Sequence, residues 1–502
     1  MIQGDPSRRK TAALRVLHVG AEIFPLLKTG GLADVLGALP VALVRAGADA
    51  RVLLPAFPAI AAALTDAREV GQIAAPWGGA PARLLAGRFK AKSLQGLQAY
   101  VLHQDALYAR PGDPYGDASG TPYADNHRRF ALLGLAAARL AEGLDPGWLP
   151  RLVHGHDWHA GLAPAYLAFS RATGASRAGS VYTIHNLAYQ GLFASTHFGE
   201  LGLPAEAYTL HGVEFHGQVA FMKAGIFYAD RLTTVSPGYA QEIQDSALGC
   251  GLDGLLRERS AVLSGILNGV DESVWDPAQD MALARRFSAE RMTGKAHCKA
   301  ALQLECGLGV QRNAPLFTVV SRLTEQKGLH LVAEVLPEII ERGGQLVVLG
   351  SGDADLESVF KRAAQAHPQQ VALRQGYDEA LSHRIFAASD ATLVPSRYEP
   401  CGLTQLYALK YGSLPLAHRT GGLADTVVDC TLEDMADGLA TGFLFERFDA
   451  ADLTRALRRA FALWARPRDW GIVRRRAMAQ RFGWDTAASR YIELYRQLLG
   501  GG

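Results

Sequence analysis

The sequence is poor in cysteine, has no long apolar run and carries almost no net charge. Its five cysteines, Cys250, Cys298, Cys306, Cys401 and Cys430, lie far apart, and no pair has the CxxC spacing of a zinc or redox site. This usage fits a reducing cytoplasm. No run of about eighteen apolar residues occurs, so we expect no membrane span. Lys and Arg number 51 against 49 Asp and Glu, a balance that argues against binding to nucleic acid or to a membrane surface through bulk charge.

The first residues include Ser-Arg-Arg-Lys at 7–10, which resembles part of a twin-arginine export signal. The stretch that follows is apolar only in parts, because Arg15, His18 and Glu22 interrupt it. An export signal needs an unbroken apolar core. We therefore expect the chain to remain in the cytoplasm.

At 502 residues the chain is too long for one hydrophobic core, and we expect two domains of the α/β class. Apolar strands alternate with helical stretches, and the alternation restarts at Pro315. This pattern predicts doubly wound parallel sheets with right-handed crossovers. The strands expected after the restart are residues 316–320, 345–349, 371–374, 391–395, 414–417 and 442–445. A final stretch, 484–499, has an apolar helical face that must pack on one of the domains.

One hexapeptide, Thr-Gly-Gly-Leu-Ala-Asp, occurs twice, at residues 29–34 and 420–425. Each copy precedes a predicted helix, where free backbone amides can hold an anion. Paired glycines alone are a weak signal, because they also form ordinary tight turns and the dinucleotide pattern GxGxxG is absent. Two copies in different halves indicate two related domains, although chance or convergent turn chemistry is an alternative for so short a match. If the domains face one another, both turns could line one cleft and grip one ligand.

In the first half, polar residues follow two predicted strands, at the edge where open α/β sheets bind ligands. One group is His154, His156, Asp157 and His159, and the other includes His185. The clustered histidines suggest a metal site, but no carboxylate or cysteine has matching ligand spacing, so local hydrogen bonds or substrate contacts are favoured. Asp157 is of more interest, because it is a carboxylate at a helix start beside the expected cleft. His185 taken alone would be a histidine satisfied by local backbone.

In the second half, the stretch around Glu399 carries most of the functional argument. Glu399 follows a buried strand and precedes a helix, so its carboxylate and the helix-start amides could hold sugar hydroxyls and anionic oxygens. Arg322 and Lys327 occupy the turn after the first strand of this half. Lone cations on loops are usually solvated, but here a diphosphate site is the sharper interpretation. Asp353 and Asp355 could bind a metal, although a helix cap at Asp353 is preferred.

A polar stretch at residues 103–130, rich in Gly and Pro, contains Tyr108, Tyr115 and Tyr123. Long loops of this composition are usually functional or disordered. The tyrosines could stack on the sugar rings of an acceptor chain. Anchoring of the loop to its own domain is at least as good an explanation.

Together these motifs resemble the bacterial glycogen synthases, a family of retaining glucosyltransferases that also includes the starch synthases. The matching segments are residues 28–35, 156–161, 183–191, 321–328, 399–406 and 420–425, in family order. The resemblance implies the GT-B fold, in which two Rossmann-like doubly wound domains face a deep cleft and a C-terminal helix crosses back to the first domain. It implies a first, glucan-binding domain at residues 1–270, joined by residues 480–502, and a second, nucleotide-sugar-binding domain at 271–479.

The resemblance also implies the reaction. Glucose from ADP-glucose is transferred to the non-reducing end of glycogen or another α-1,4-glucan with retention of anomeric configuration, and ADP is released. No cofactor and no metal are expected, and neither nucleic acid nor a membrane is an expected partner. The sequence offers no obvious second carboxylate for a covalent intermediate. A same-face displacement is therefore preferred, in which an oxygen of the leaving group helps to deprotonate the acceptor.

Roles carry over to residues at matching positions. The residues implied to contact ADP-glucose are Lys28, Thr29, Gly30, Gly31, Arg322, Lys327, Tyr377, Glu399, Cys401, Gly402, Leu403, Thr420, Gly421 and Gly422. Among them, the two glycine turns and the cations contact phosphates, Tyr377 stacks on adenine and Glu399 holds glucose hydroxyls. The residues implied to act in catalysis are His185, Asp157, Glu399, Arg322 and Lys327, with His185 and Asp157 beside the anomeric carbon. Where the wider superfamily often has a second glutamate this chain has Tyr407, which leaves the ribose contact unassigned.

Three other functions remain compatible with the sequence. A related transferase would use UDP-glucose or a small acceptor, and a panel of donors separates it. An α-glucan phosphorylase would carry pyridoxal phosphate on a lysine, which an absorbance spectrum would reveal. A non-catalytic glucan-binding protein would bind glucan without releasing ADP, and the intact set of charged site residues argues against it.

Overall fold

The structure is a computed structural model that describes residues 14–176 and 178–500, and its contacts divide the chain into two compact units. Unit 1 consists of residues 14–234, 243–266 and 484–500, and unit 2 of Val235–Glu242 and Leu267–Gly483. The export-signal pattern at residues 7–10 lies outside the described residues. From the sequence we expect residues 235–242 to belong to the first domain, whereas the structure groups this segment with unit 2. One reason is that the Ser236 hydroxyl donates to the Pro400 carbonyl at 2.6 Å.

Unit 1 is built on a large, mostly parallel sheet. Its strands are β1 (Arg15–Val19), β2 (Asp49–Pro55), β3 (Leu64–Ile73), β4 (Ala82–Phe89), β5 (Gln98–His103), β6 (Leu152–His156), β7 (Gly179–Ile184), β8 (Leu192–Ala194), β9 (Glu214–Phe215), β10 (Gln218–Ala220), β11 (Arg231–Thr234) and β12 (Leu263–Gly265). Nine of them form one sheet in the order β12-β11-β7-β6-β1-β2-β5-β4-β3, with β3 and β4 antiparallel at one edge. β8, β10 and β9 form a small antiparallel sheet.

Unit 2 contains a six-stranded sheet that is parallel throughout. Its strands are β13 (Leu316–Val320), β14 (Gln345–Leu349), β15 (Val371–Arg374), β16 (Ala391–Val394), β17 (Leu414–His418) and β18 (Phe443–Phe445). They lie in the order β15-β14-β13-β16-β17-β18. The six predicted strands are confirmed, with differences of one residue at the ends of three of them. Parallel strands are covered on both faces, which explains why they appear in the sequence as unbroken apolar runs.

Helices occupy the connections between strands in both units. Numbered along the whole chain, they are α1 (Gly31–Arg45), α2 (Pro58–Ala63), α3 (Asp105–Tyr108), α4 (Asn126–Ala141), α5 (Leu162–Ala172), α6 (Phe221–Tyr228), α7 (Pro237–Glu242), α8 (Asp253–Glu258), α9 (Thr293–Cys306), α10 (Leu329–Glu341), α11 (Ala354–Ala366), α12 (Glu379–Ala388), α13 (Thr404–Lys410), α14 (Gly421–Thr426), α15 (Leu432–Asp437), α16 (Ala450–Trp464), α17 (Pro467–Ala479) and α18 (Trp484–Gly500). In the part of the chain that the structure describes, none of them is long and apolar enough to cross a membrane.

The last helix, α18, belongs to unit 1 and packs on α1. Its apolar face buries Trp484, Tyr491 and Tyr495 in a cluster with α1 residues such as Leu39. The hydroxyl of Tyr495 also lies 2.6 Å from Nδ1 of His154 in β6. The apolar stripe predicted for residues 484–499 is thus explained by burial against the first strands and helix of the chain.

Among the parallel strands of each sheet, the strand order reverses at one place. In unit 1 the neighbours of β1 are β2 and β6, and in unit 2 the neighbours of β13 are β14 and β16. Connections on the two sides of such a point run to opposite faces of the sheet and leave a crevice at the carboxyl ends of the strands, where open α/β sheets bind ligands. The predicted site residues of unit 1 follow β1, β6 and β7, and most of those of unit 2 follow β13, β16 and β17.

Candidate active site

A buried glutamate holds the first glycine turn. Glu22 follows β1, is 2% exposed, and accepts the backbone N–H of Thr29 at 2.6 Å and of Gly30 at 3.2 Å, as well as the Thr29 hydroxyl at 2.5 Å. Lys28, in the same turn, pairs with Asp34 at 2.8 Å. An internal carboxylate therefore occupies amides that the sequence analysis assigns to a phosphate. Glu22 is not among the predicted residues.

The tyrosines of the polar loop anchor it to unit 1. The Tyr115 hydroxyl donates to the Glu22 carboxylate, and its ring stacks on His159 with centroids 4.7 Å apart. The Tyr108 hydroxyl donates to a backbone carbonyl of α4 at 2.6 Å, and Tyr123 donates to a carbonyl within the loop. The anchoring explanation is thus supported. Through Glu22, Tyr115 also connects the loop to the first glycine turn.

Asp157 combines burial with an unusual backbone conformation. It follows β6 with φ 59° and ψ −178°, a region that is essentially restricted to glycine and costs about 1–3 kcal/mol for other residues. Its side chain is buried, and Oδ1 has no hydrogen-bond partner among the described residues. Burial raises the pKa of Asp157 well above its usual value, and the nearby charge of Glu22 acts in the same direction. Backbone strain and a buried acid with one unpaired oxygen occur together in Asp157, which indicates a functional position.

The clustered histidines are held by hydroxyl groups and by one another. The ring nitrogens of His154 lie 2.6 Å from the Tyr495 hydroxyl and 2.6 Å from the Thr183 hydroxyl. Nitrogen atoms of His18, His154 and His156 lie within 4.8 Å of one another, close enough to consider a metal. Both nitrogens of His154, and both of His156, already have protein partners. The local hydrogen bonding that the sequence analysis favours is therefore the better explanation.

His185 lies at the end of β7, beside the strand that leads to Asp157. It is half-buried, and its Nε2 lies 3.1 Å from Nδ1 of His156. Burial lowers the pKa of His185 to about 3, so its imidazole is neutral at physiological pH. The Asp157 amide donates to the Thr183 carbonyl at 2.9 Å, which brings the ends of β6 and β7 together. The structure thus gathers two predicted catalytic residues at one edge of the unit 1 sheet.

In unit 2, Glu399 forms an ion pair with Lys327. Glu399 follows β16, is 7% exposed and lies 2.6 Å from the Lys327 ammonium, and the Ser396 hydroxyl donates to it at 2.9 Å. Arg322 is exposed on the same turn after β13. Because β13 and β16 are neighbours at the switch point, the structure brings Lys327 into contact with Glu399 and places Arg322 on the same turn as Lys327.

The second glycine turn repeats the arrangement of the first. Oε1 of Glu242, at the end of α7, accepts the backbone N–H of Gly421 at 2.7 Å and the Thr420 hydroxyl at 2.9 Å. The amide of Gly422 donates to the Glu399 carbonyl at 3.0 Å. In each unit, then, a glutamate from elsewhere in the chain binds the start of the Thr-Gly-Gly turn, where the sequence analysis expects a phosphate.

The backbone after Glu399 is tightly packed. Gly402 has φ +74°, and a Cβ there would lie 2.3 Å from Oε1 of Gln405, so only glycine fits. Cys401 is buried, and this burial raises the pKa of its thiol to about 12. Leu403 is half-buried and immediately precedes α13. These three residues position backbone groups around Glu399, and the Cys401 thiol remains protonated at physiological pH.

Tyr377 and Asp353 lie at other strand ends of unit 2. Tyr377 follows β15, is 71% exposed, and its hydroxyl donates to Glu379 at 2.8 Å. Its ring is thus presented to solvent, as stacking on a planar base would require. Asp353 caps α11 by accepting the backbone amides of Asp355 at 2.9 Å and Leu356 at 3.1 Å. The predicted helix cap is confirmed.

The two glutamates that bind the glycine turns, Glu22 and Glu242, are not predicted from the sequence. Glu22 lies seven residues before Thr29, and Glu242 lies 178 residues before Thr420, so no common spacing identifies the pair. The repeated hexapeptide is the one signal that could prompt a search for a shared acceptor. A cavity of about 430 Å³ in unit 1, lined by Phe215, His216 and Phe227 among others, contains none of the predicted site residues.

Comparisons with known proteins agree with the architecture. The family described as "Starch synthase catalytic domain" matches residues 15–258, and the family described as "Glycosyl transferases group 1" matches residues 307–476. A glycogen synthase of Variovorax paradoxus (strain S110) is 60% identical over 490 residues, which cover 97% of this chain and 99% of that protein. A glycogen synthase of Leptothrix cholodnii is 58% identical over 489 residues, covering 97% of this chain and 100% of the relative.

A solved structure is similar over the same extent. The catalytic domain of starch synthase IV from Arabidopsis thaliana, bound to ADP and acarbose, has a TM-score of 0.86 and 32% sequence identity. The match covers 97% of this chain and 100% of that structure.

Proposed function

The chain belongs to the glycogen synthase family, and from that premise we propose that it transfers glucose from ADP-glucose to the non-reducing end of an α-1,4-glucan. We propose further that the anomeric configuration is retained and that ADP is released. The observation that carries the proposal is the grouping of Lys327, Glu399 and Arg322 at the switch point of unit 2. The starch synthase structure that this chain resembles, bound to ADP and acarbose, supports the same donor and acceptor classes.

We assign donor binding in unit 2 to four side chains. Arg322 and Lys327 neutralise the diphosphate, because charge-assisted hydrogen bonds to phosphate are the strong ones. Tyr377 offers its exposed ring to adenine. Lys327 and Ser396 both bind Oε2 of Glu399, so Oε1 can accept hydrogen bonds from glucose hydroxyls. The backbone of residues 401–403 and 420–422 surrounds this carboxylate.

In unit 1 we assign Lys28 and the turn at 29–31 to a phosphate oxygen, and Asp157 and His185 to the transfer step. A phosphate at this turn would compete with Glu22 for the amides of Thr29 and Gly30. A neutral imidazole at His185 adds no positive charge near a developing oxocarbenium ion. Asp157 sits in a strained conformation, which the rest of the fold must stabilise.

A same-face displacement fits these residues better than a covalent intermediate. The oxygen of the acceptor hydroxyl bonds to C1 of glucose as the bond from C1 to the phosphate oxygen breaks. The electron pair of that bond goes to ADP, and the acceptor proton passes to the leaving oxygen. Burial raises the pKa of Asp157, which disfavours its anionic, nucleophilic form, and Glu399 is held by Lys327, so neither carboxylate is disposed to act as a nucleophile.

The cations of unit 2 stabilise the leaving group in this scheme. Departure of ADP places new negative charge on the diphosphate, and fixed cations stabilise that charge more in the transition state than in the ground state. Each charged hydrogen bond is worth about 1.5 to 3 kcal/mol, which corresponds to about tenfold to a hundredfold in rate. Such cations make a divalent metal unnecessary for the step.

We place the protein in the cytoplasm, as its cysteines suggest. The five cysteines are free thiols in the structure. Free thiols are the usual state in a reducing compartment.

The test is a panel of donors with glycogen as acceptor. We expect rapid ADP release from ADP-glucose, dependent on glycogen and insensitive to a chelator, and slower turnover of UDP-glucose. The anomeric proton of the new linkage, observed by NMR, should be that of an α-linkage. Faster release from UDP-glucose would favour the related transferase, and glucan binding without release from either donor would favour a binding protein.

A further inference from the structure

Three imidazoles form a continuous hydrogen-bonded line from the core of unit 1 to His185. Nδ1 of His18 in β1 lies 3.0 Å from Nε2 of His156 in β6, and Nδ1 of His156 lies 3.1 Å from Nε2 of His185 after β7. His18 and His156 are fully buried, and His185 is half-buried. The three strands are neighbours in the sheet, so the line crosses from strand to strand.

All three rings are neutral. Burial lowers the pKa of His18 and of His185 to about 3, and burial, followed by the neighbouring imidazoles, lowers the pKa of His156 well below its usual value. A neutral imidazole carries one N–H and one lone pair. Each hydrogen bond in the line therefore needs one ring to donate and the next to accept, which leaves only two consistent arrangements.

The buried end of the line decides between them. Nε2 of His18 is buried and has no hydrogen-bond partner among the described residues. If protons pointed inward, this atom would be an orphaned buried N–H, which is rarer in proteins than an unpaired acceptor. If they point outward, His18 donates from Nδ1 to His156, and His156 donates from Nδ1 to His185. Nε2 of His18 is then an unpaired acceptor.

We propose that His156 is a positioning residue for His185, and that the line is polarised outward, with the proton on Nδ1 of each ring. The inference rests on the role proposed above for His185 in the transfer step. Nε2 of His185 is then an acceptor fixed against His156, and its Nδ1 carries the N–H. The ring is held in one orientation and one tautomer before any substrate arrives, which is the preorganisation that a catalytic site requires.

A neighbouring histidine provides a matched control. His154 stacks on His156 with centroids 4.2 Å apart and is equally buried, but its nitrogens bond to Tyr495 and Thr183. Replacing His154 removes a buried imidazole from the same stack without breaking the line. Its loss should cost stability and leave the tautomer of His185 unchanged.

The first test is the tautomer itself. Two-bond 1H–15N spectra of full-length protein labelled with 15N-histidine distinguish Nδ1–H from Nε2–H rings, and His18→Phe, His156→Leu and His185→Gln assign the three signals. We expect Nδ1–H for all three in the wild type. His156→Leu should give His185 a mixture of tautomers, whereas His154→Asn should not. Nε2–H signals for His185 and His156 in the wild type would overturn the proposal.

The second test is rescue. His156→Leu should lower kcat by about tenfold or more with little change in KM for ADP-glucose. His156→Asn, whose amide nitrogen can take the position of Nδ1, should restore most of kcat and the single tautomer. Equal losses in both variants, with unchanged His185 signals, would overturn the proposal. The spectra are recorded without substrate, so they decide the polarity of the line even if the wild type fails to release ADP, an outcome that would count against the proposed function alone.

Discussion

The carboxylate of Glu22 accepts a hydrogen bond from the backbone amide of Thr29 at 2.6 Å, and donors surround both of its oxygens. Glu22→Gln would place an amide NH₂ group against at least one of these donors. We expect a loss of about 2 kcal/mol in the free energy of unfolding, with a lower melting temperature and lower activity, because a buried charge-assisted network is broken.

A suitable control is Glu142→Gln. Glu142 is half-buried in the same unit and accepts the Ser170 hydroxyl at 2.7 Å and Arg139 at 2.5 Å, but it holds no turn. We expect the melting temperature of Glu142→Gln to fall far less than that of Glu22→Gln. Equal melting temperatures for the two variants would show that Glu22 does not organise the turn.

The two glycine turns should differ in their tolerance of alanine. A Cβ at Gly31 would have nothing within 4 Å, whereas a Cβ at Gly422 would lie 2.1 Å from the Cys401 carbonyl. Gly31→Ala should leave the stability of the protein unchanged or slightly raised, and Gly422→Ala should lower it by about 1 to 3 kcal/mol. Urea unfolding of both variants measures the difference, and similar midpoints would contradict the packing argument.

The same pair of turns shows what the sequence can and cannot predict. The repeat, the unit 2 strands and the cap at Asp353 follow from local patterns such as apolar runs and capping preferences. The acceptors Glu22 and Glu242 do not, because they reach the turns only through the fold. For the same reason the sequence indicates a histidine cluster but not the line from His18 to His185, whose members lie on three separate strands.

Asp157 should lower the stability of the folded protein while being needed for activity. Its conformation, φ 59° and ψ −178°, favours glycine, and its buried Oδ1 has no partner among the described residues. Asp157→Gly removes backbone strain of about 1–3 kcal/mol, which stabilises the folded protein. The greater freedom of glycine in the unfolded chain opposes this by only about 0.5–1 kcal/mol. We expect an unchanged or higher melting temperature together with a fall of at least about a hundredfold in kcat.

Asp66→Gly is the matched control for that change. Asp66 also has a positive φ, 51°, and it is exposed. This variant should keep full activity. A marked loss of stability in Asp157→Gly, or full activity in that variant, would contradict the assignment of Asp157.

The buried histidines should make unit 1 sensitive to acid. The pKa of His18 falls from an ordinary 6.5 to about 3 on folding, so the unfolded chain binds a proton at pH values where the folded protein does not. Stability is therefore fully present above pH 6.5 and falls as the pH drops from 6.5 towards 3. Between pH 7.5 and 5.5 one such imidazole contributes about 1.4 kcal/mol to the loss.

Urea unfolding of His18→Phe at these two pH values tests the sign and the size of this effect on the free energy of unfolding. The difference in unfolding free energy between pH 7.5 and 5.5 should shrink by about 1.4 kcal/mol relative to the wild type. A variant at His18 with the pH dependence of the wild type would show that the pKa of this imidazole does not change on folding.

Fixed cations of unit 2 drive the departure of ADP in the proposed reaction, and Lys327→Ala removes one of them. Lys410→Ala is its control, because Lys410 also pairs with a glutamate of unit 2, Glu272 at 2.7 Å, on a more exposed part of the surface where an ion pair is worth little. The measurement is kcat/KM for ADP-glucose with saturating glycogen. We expect a fall of about tenfold to a hundredfold for Lys327→Ala and of less than about twofold for Lys410→Ala. Similar values for the two variants would contradict this role of the cations.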